Sequence, residues 1–219
     1  MSTGYEELPE ALRYGTATPA AARWASDVLD DVLRGATTIN AMRHPLGFVC
    51  IPIERTGGGG VCVHVWSENL PRASPTTSVM HAHSWDLTSY VLYGTVRNEI
   101  VGVTDAPWSG TYRVFEIHSG GDIDEIRATP RLVDCEVTAA ELSRQGDSYS
   151  HDAGVFHTTV VAGEAATVAV GSDHPGTVDL SLGDVRTGTH HVRRQRCSRN
   201  ETAEAARVVT ERLAMILHG

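Results

Sequence analysis

Three histidines constrain this sequence more than any other feature. His81 and His83 lie two positions apart in the run His81-Ala82-His83, and His157 follows 74 residues after His83. Residues i and i+2 of a β-strand point to the same face, so the first two imidazoles are expected to share a face. A third imidazole, brought in behind a glycine turn, completes a triangle around a metal ion. The alternative is that three of the eleven histidines are unrelated.

The middle of the chain has the pattern of short β-strands. Val61-Cys-Val-His-Val-Trp66 alternates, with valines on one face and Cys62, His64 and Trp66 on the other, and Gly57-Gly-Gly-Gly60 predicts a hairpin turn before it. Short strands separated by Gly, Pro and Asp favour a sandwich or barrel. Strands are predicted at 48–53, 61–66, 87–93, 95–103, 111–118, 131–137, 155–162, 165–171 and 177–182.

Helical patterns flank these strands. Residues 6–14 and 19–35 carry helix-forming residues, and Ser198-x-x-Glu201 has the form of a capping box that starts a last helix ending near residue 217. We expect one domain, residues 1–219, made of a helical N-terminal extension (1–43), a barrel (44–195) and a C-terminal helix (198–218).

Composition indicates a small cytoplasmic protein. The net charge of −9 argues against nucleic acid, and the short basic run Arg193-Arg194-Gln-Arg196 is expected on a solvated strand end or loop. No run of 18 apolar residues predicts a membrane span, and the N-terminus lacks the basic and apolar regions of a secretory signal. The four cysteines are scattered, which favours buried thiols over a disulfide framework.

The two histidine segments resemble the motifs of the cupin family. The first motif, in outline G-x5-H-x-H-x3-4-E-x6-G, is matched by His81, His83 and a hydrophobic strand that closes at Gly94. The second, G-x5-P-x-G-x2-H-x3-N, is matched by Gly146, Gly154 and His157. The resemblance covers about residues 45 to 175. It implies an all-β core, a double-stranded β-helix or jelly-roll barrel with the metal inside, here flanked by N- and C-terminal α-helices.

The sequence departs from these motifs at several positions. The glutamate of the first motif falls at Leu87 or Thr88, neither of which carries a carboxylate, and Pro75 stands in place of the leading glycine. In the second motif Asp152 replaces proline and Val161 replaces asparagine. What remains is similar to the three-histidine site of the thiol dioxygenase branch of cupins, which also lacks a liganding glutamate.

Asp86 is a candidate fourth ligand, although on a regular strand its side chain would face away from His81 and His83. The crosslinked cysteine of thiol dioxygenases and their outer-shell serine, histidine and tyrosine have no clear equivalent here. The resemblance therefore does not identify a cysteine dioxygenase.

Further residues are candidates for the wall of the site. His64 and Trp66 are predicted to bind substrate, the alternative being a core or interface face with a hydrogen-bonded histidine. Tyr149 is a candidate catalytic proton or hydrogen-bond donor, the alternative being core packing. The resemblance implies that Arg55 grips a substrate carboxylate, a task for which guanidinium is well shaped. Arg97 competes for that anion-binding role if it projects inward.

The function predicted from these residues is a non-haem iron(II) dioxygenase that acts with O2 on a small polar, carboxylate-bearing metabolite. Zinc, nickel, copper and manganese are alternative metals. Two other classes remain open, a metal-dependent isomerase, cyclase or lyase that uses the metal as a Lewis acid, and a non-catalytic ligand-binding cupin. A homodimer is expected, because Val61, Val63, Val65 and the terminal helices offer more apolar surface than a small barrel needs.

Overall fold

The computed structural model describes residues 18–56 and 59–218, so the predicted helix at 6–14 lies outside the described residues. Two helices flank the strands, α1 (Thr18–Leu33) and α2 (Arg199–His218). The fourteen strands of the described ranges are β1 (Met42–Arg43), β2 (Val49–Thr56), β3 (Gly59–Trp66), β4 (His81–Ala82), β5 (Trp85–Tyr93), β6 (Thr95–Asp105), β7 (Tyr112–Gly120), β8 (Ile123–Arg144), β9 (Ser148–His151), β10 (His157–Val161), β11 (Ala165–Asp173), β12 (Asp179–Asp184), β13 (His190–Arg193) and β14 (Gln195–Arg196).

The strands form two seven-stranded sheets whose pairings are antiparallel. The first sheet has the order β14-β1-β2-β3-β11-β5-β9, and the second has the order β13-β8-β6-β10-β4-β12-β7, with β8 also pairing with β7. Strands distant in sequence lie side by side in both sheets, and one cavity is lined by residues of both. The predicted jelly-roll barrel with flanking helices is therefore confirmed.

The two helices cover the outer face of the first sheet. Val61, Val63 and Val65 of β3 have no exposed surface and belong to one apolar cluster with Leu29 of α1 and Leu213 of α2. Burial of this kind stabilises a fold by roughly 1.5–3 kcal/mol for each side chain. The valine face that suggested a homodimer is thus covered within the chain, and the homodimer stays a prediction.

Several strand boundaries differ from those predicted. The strand expected at 131–137 is the middle of β8, which runs for 22 residues and pairs with both β6 and β7 across register shifts. Strand β1 at Met42–Arg43 was not predicted, and it joins the first sheet by pairing with β14. Strands β4 and β14, with two residues each, are too short to show alternation in the sequence.

The ends of the helices follow the predicted signals. The Ser198 amide donates to Glu201 Oε2 at 2.7 Å, and the Glu201 amide donates to Ser198 Oγ at 3.2 Å, which confirms the capping box at the start of α2. Beyond α1, Gly35 adopts a φ of +68°, a conformation that favours glycine. Neither helix of the described ranges combines the length and apolar character needed to cross a bilayer.

Candidate metal centre

Strand pairing brings the three predicted histidines together. His81 in β4 lies directly opposite His157 in β10, and His83 follows β4 by one residue. A hydrogen bond joins the turn before β10 to His83, since the Gly154 amide donates to the His83 carbonyl oxygen at 2.8 Å. Gly154 has a φ of +80°, which other residues rarely adopt. The glycine of the second motif is therefore required by the turn that delivers His157.

The imidazole rings face one another at short range. Ring centroids are 4.3 Å apart for His81 and His157, 4.8 Å for His81 and His83, and 5.2 Å for His83 and His157. One ring nitrogen from each of the three lies within 4.8 Å of the other two. Such a group can hold one metal ion after small side-chain movements, since metal–nitrogen bonds of about 2.0–2.1 Å bring ligand atoms within roughly 3.4 Å.

The protonation of these rings suits a metal. Nδ1 of His81 lies 2.9 Å from the Val79 carbonyl oxygen and Nδ1 of His157 lies 3.0 Å from that of Val155. A carbonyl only accepts, so Nδ1 carries the proton in both rings and Nε2 keeps its lone pair. Burial lowers the pKa of His81 to about 3 and also lowers the pKa values of His83 and His157. All three are therefore neutral near pH 7, as metal ligation requires.

Stacked rings support two of the three imidazoles, His83 and His157. Trp85 stacks on His83 with centroids 4.3 Å apart, and a Cβ at Gly171 would lie only 2.8 Å from Trp85 Cε3. His151 stacks on His157 with centroids 4.2 Å apart. His151 is buried, and its Nε2 has no hydrogen-bond partner among the described residues.

Within the described residues, no carboxylate joins the three imidazoles as a fourth member. Leu87, at the position of the motif's glutamate, is buried and lines the cavity, while Thr88 on the other face lies 3.1 Å from Ser150. Asp86 accepts the Ala153 amide at 2.8 Å and its other oxygen lies 2.8 Å from His174 Nε2. Asp86 therefore faces away from the histidines, as the strand parity predicted.

The three histidines line a cavity of about 510 Å³ between the two sheets. The inner face of the β2–β3 hairpin forms the opposite wall, and both predicted substrate-binding residues on it, His64 and Trp66, line the cavity. Phe48 packs against both rings, with centroids 4.5 Å from His64 and 4.9 Å from Trp66. The alternation read from β3 is therefore correct, and its polar face is the cavity face.

Tyr149 also lines this cavity and is almost completely buried. Burial raises the pKa of its phenol, and the neighbouring polar groups of Ser89, Asn98 and Thr167 act in the opposite direction. The buried side-chain atoms Ser89 Oγ, Asn98 Nδ2 and Thr167 Oγ1 make no hydrogen bond of good geometry within the described residues. The phenol thus stays protonated and points at a buried polar cluster, where it can donate a hydrogen bond.

The two arginines predicted to bind an anion have different outcomes. Arg97 lies on the outer face of β6, half exposed and paired with Glu99 at 2.9 Å, so the inward projection on which its anion-binding role depended does not occur. Its neighbours Val96 and Asn98 take the inward positions instead. The backbone of Arg55 pairs with Gly60, but its side chain lies outside the described residues. Its role stays a prediction.

A cation that the sequence did not predict lies at the cavity. Arg194, expected on a solvated strand end, lines the cavity and makes a bidentate pair with Asp124, with Nη2 at 2.7 Å and Nε at 3.0 Å. Arg194 also donates to Ser119 Oγ at 2.6 Å. No sequence signal indicated this pair, because β8 supplies the carboxylate 70 residues earlier.

Comparison with known proteins gives fold-level likeness only. No protein-family model matches the sequence, and no curated protein matches it. Similar solved structures include the FeII enzyme HppE (14% identity over 57% of this chain and 49% of the other, TM-score 0.32), the hydroquinone 1,2-dioxygenase PnpCD with Cd2+ and 4-hydroxybenzonitrile (11%, 57% and 63%, 0.31) and the Escherichia coli ribosomal oxygenase YcfD (16%, 54% and 24%, 0.31). The chain spans less than two thirds of each. At these scores the likeness carries no functional weight.

Proposed function

We propose that this protein is a metal-dependent oxygenase of the three-histidine cupin type, with His81, His83 and His157 as the ligands of iron(II). The observation that carries the proposal is the convergence of three neutral imidazoles, from β4, its flank and β10, on one cavity between the two sheets. Three ligands leave coordination positions for other groups. Iron(II), when bound, would supply the redox chemistry with O2 and orient the substrate.

We infer that the substrate is a small polar metabolite bearing a carboxylate. Three neutral imidazoles leave the double charge of a divalent ion uncompensated, since Leu87 replaces a carboxylate ligand. An anionic group is the natural partner of that charge in a low-dielectric cavity. Arg194 adds little to this attraction, because Asp124 already neutralises it. Arg55 remains the proposed second contact for the carboxylate.

The chain's own residues would prepare the site in three ways. Phe48, Trp66 and Leu87 give the cavity an apolar wall that restricts water. Tyr149, protonated and buried, offers a hydrogen bond to substrate or holds the buried polar cluster in place. Val79 and Val155 orient two of the imidazoles through their carbonyl groups, which fixes the ligand nitrogens before any metal arrives.

The finer relation that we propose is to the thiol dioxygenase branch, because of the three-histidine set without a liganding glutamate. We also propose a single domain, a cytoplasmic location and a homodimer. A metal-dependent isomerase, cyclase or lyase would use the same residues and is distinguished below by oxygen consumption.

The test combines metal analysis with oxygen uptake. Protein purified without added metal is analysed for bound metals, then loaded with iron(II) and supplied with a panel of small hydroxy, amino and thiol carboxylic acids in an oxygen electrode. We expect substrate-dependent oxygen uptake. Turnover of a panel member without oxygen uptake would contradict the oxygenase and favour Lewis-acid chemistry.

Two variants separate metal binding from substrate binding. His83→Ala should reduce metal occupancy and abolish activity, whereas His191→Ala, at an exposed position outside the cavity lining, serves as the control. Arg55→Ala should leave metal content unchanged but weaken binding of a carboxylate substrate by about 1.5–3 kcal/mol, the range for a hydrogen bond to a charged group. Full metal content and turnover in His83→Ala would refute the three-histidine centre.

A further inference from the structure

A second group of metal-ligating side chains lies on the opposite wall of the cavity. Cys50 in β2 lies directly opposite His64 in β3, and Cys62 is two residues before His64 on the same face. All three line the cavity that also contains the three imidazoles. One ligand atom from each, two sulfurs and one nitrogen, lies within 4.8 Å of the other two.

The distances suit a shared metal ion. Zinc–sulfur bonds of about 2.3 Å and tetrahedral angles place two sulfur ligands roughly 3.8 Å apart. The ligand atoms of this group lie at most 4.8 Å apart, which is about 1 Å more than a shared metal ion requires. Rotation of the side chains can supply that difference. Cys50 is buried, while Cys62 and His64 are half-buried. The group is thus sheltered from solvent but open on the side that faces the cavity.

A disulfide fits these cysteines less well than a metal does. Cys62 pairs with Pro52, so Cys50 and Cys62 are diagonal rather than directly opposite. The Cα atoms of diagonal pairs are typically about 7–8 Å apart, which is beyond the usual reach of a disulfide. All four cysteines of the chain are outside disulfides in this structure. A metal ion bridges the greater distance, because two metal–sulfur bonds take the place of one shorter sulfur–sulfur bond.

Aromatic side chains fix the imidazole of this group. The Phe48 ring packs against His64 at 4.5 Å, and the Trp66 ring meets its edge at 6.1 Å with an interplanar angle of 81°. These contacts restrict the ring without occupying its nitrogens. Phe48 is held in turn by His44, whose ring stacks on it with centroids 4.3 Å apart and an interplanar angle of 7°. The hairpin therefore presents a partly preorganised set of donors.

We propose that Cys50, Cys62 and His64 form a second metal site, which binds zinc(II) across the cavity from the three-histidine centre. Two thiolates and an imidazole are soft and borderline donors that favour zinc over magnesium, calcium or manganese. A set of two cysteines and one histidine also leaves a fourth position for water or a substrate heteroatom. Both groups line the same cavity, and this fourth position would open into it.

Cobalt(II) titration tests the site, because thiolate ligands give cobalt a charge-transfer absorption in the near ultraviolet and imidazoles alone do not. Metal-free wild-type protein should bind two equivalents and show this absorption. His81→Ala/His83→Ala should bind one equivalent and keep the absorption, whereas Cys50→Ser/Cys62→Ser should bind one equivalent and lack it. Cys135→Ser is the matched control, since this half-buried thiol contacts Met80 and lies outside both groups.

A single substitution guards against misfolding of the double variant. Cys62→Ser, at the half-buried position, should raise the cobalt dissociation constant of the thiolate site at least about 100-fold, since even outer-shell partners of a metal contribute up to that factor. Added zinc(II) should displace the cobalt and remove the absorption. Absence of the absorption in the wild type, its persistence in excess zinc, or two equivalents in Cys50→Ser/Cys62→Ser would overturn the proposal. Failure of the three-histidine centre would appear separately, as unchanged stoichiometry in His81→Ala/His83→Ala.

Discussion

Gly171 supports the candidate metal centre although it ligates nothing. A Cβ at this position would lie 2.8 Å from Cε3 and 3.1 Å from Cζ3 of Trp85, and ordinary contacts begin at 3.4 Å. Gly171→Ala therefore forces the indole to move by at least about 0.6 Å or the strand to yield. Because Trp85 stacks on His83 at 4.3 Å, the displacement reaches a proposed ligand directly.

The expected cost has two parts. Overpacking of a dense interior typically costs about 1–3 kcal/mol, and replacing a strand glycine by alanine returns about 0.5–1 kcal/mol through backbone entropy. We expect Gly171→Ala to lower the free energy of unfolding by about 0.5–2 kcal/mol. Displacement of an outer-shell contact should weaken metal binding at the three-histidine centre about 10-fold.

Urea unfolding and metal titration of four variants check this reasoning: Gly171→Ala, Gly188→Ala, Trp85→Phe and Trp85→Phe/Gly171→Ala. Gly188→Ala is the matched control, because no atom lies within 4 Å of its added Cβ. In a Trp85→Phe background, which removes the clashing atoms, the cost of Gly171→Ala should shrink, giving a coupling energy of about 1 kcal/mol. Equal stability and equal metal affinity in Gly171→Ala and Gly188→Ala would refute the packing argument.

Two further predictions concern stability. Burial lowers the pKa values of three histidines, to about 3 for His44 and His81 and to about 4 for His151. Between pH 6.5 and 4 the unfolded chain binds more protons than the folded one, so the metal-free protein should lose up to about 1.4 kcal/mol per pH unit for each histidine as the pH falls. Carboxylates with lowered pKa values act mainly below about pH 5, so a flat urea-unfolding profile from pH 7 to 5 would contradict this. Asp124→Ala should lower the free energy of unfolding by about 1–2 kcal/mol, because it leaves half-buried Arg194 without its carboxylate. Asp122→Ala is the control, since its arginine partner is exposed, and should change this free energy by less than about 0.5 kcal/mol. Equal losses in the two variants would contradict this prediction.

The sequence predicted those parts of the site that depend on local periodicity. The i, i+2 spacing placed His81 and His83 together, and the glycine before His157 fixed its turn. The same period of two identified the cavity face of β3 from the alternation of its side chains alone. The capping box of α2 is equally local, since Ser198 and Glu201 satisfy each other within one turn.

The predictions of side-chain position failed where the alternation along a strand was hidden, or where the contact partner lies far away in the sequence. Arg97 points outward because Asn98 takes the inward position on β6, and a buried polar residue hides the alternation that would have revealed this. Arg194 enters the cavity wall because Asp124, on a strand far away in sequence, holds its guanidinium. Strand β9 has only four residues, which gave no signal that His151 would stack on His157.

The register of β3 links the stability of the fold to the chemistry of the cavity. A slip of one residue would turn Val61, Val63 and Val65 into the cavity and press Cys62 and His64 against the helices. Burial of three valines contributes roughly 5 kcal/mol at about 1.5–2 kcal/mol each, and the slip would forfeit much of it. The valine contacts with α1 and α2 must therefore fix the register, so the helices that lie outside the barrel determine which side chains face the proposed metals.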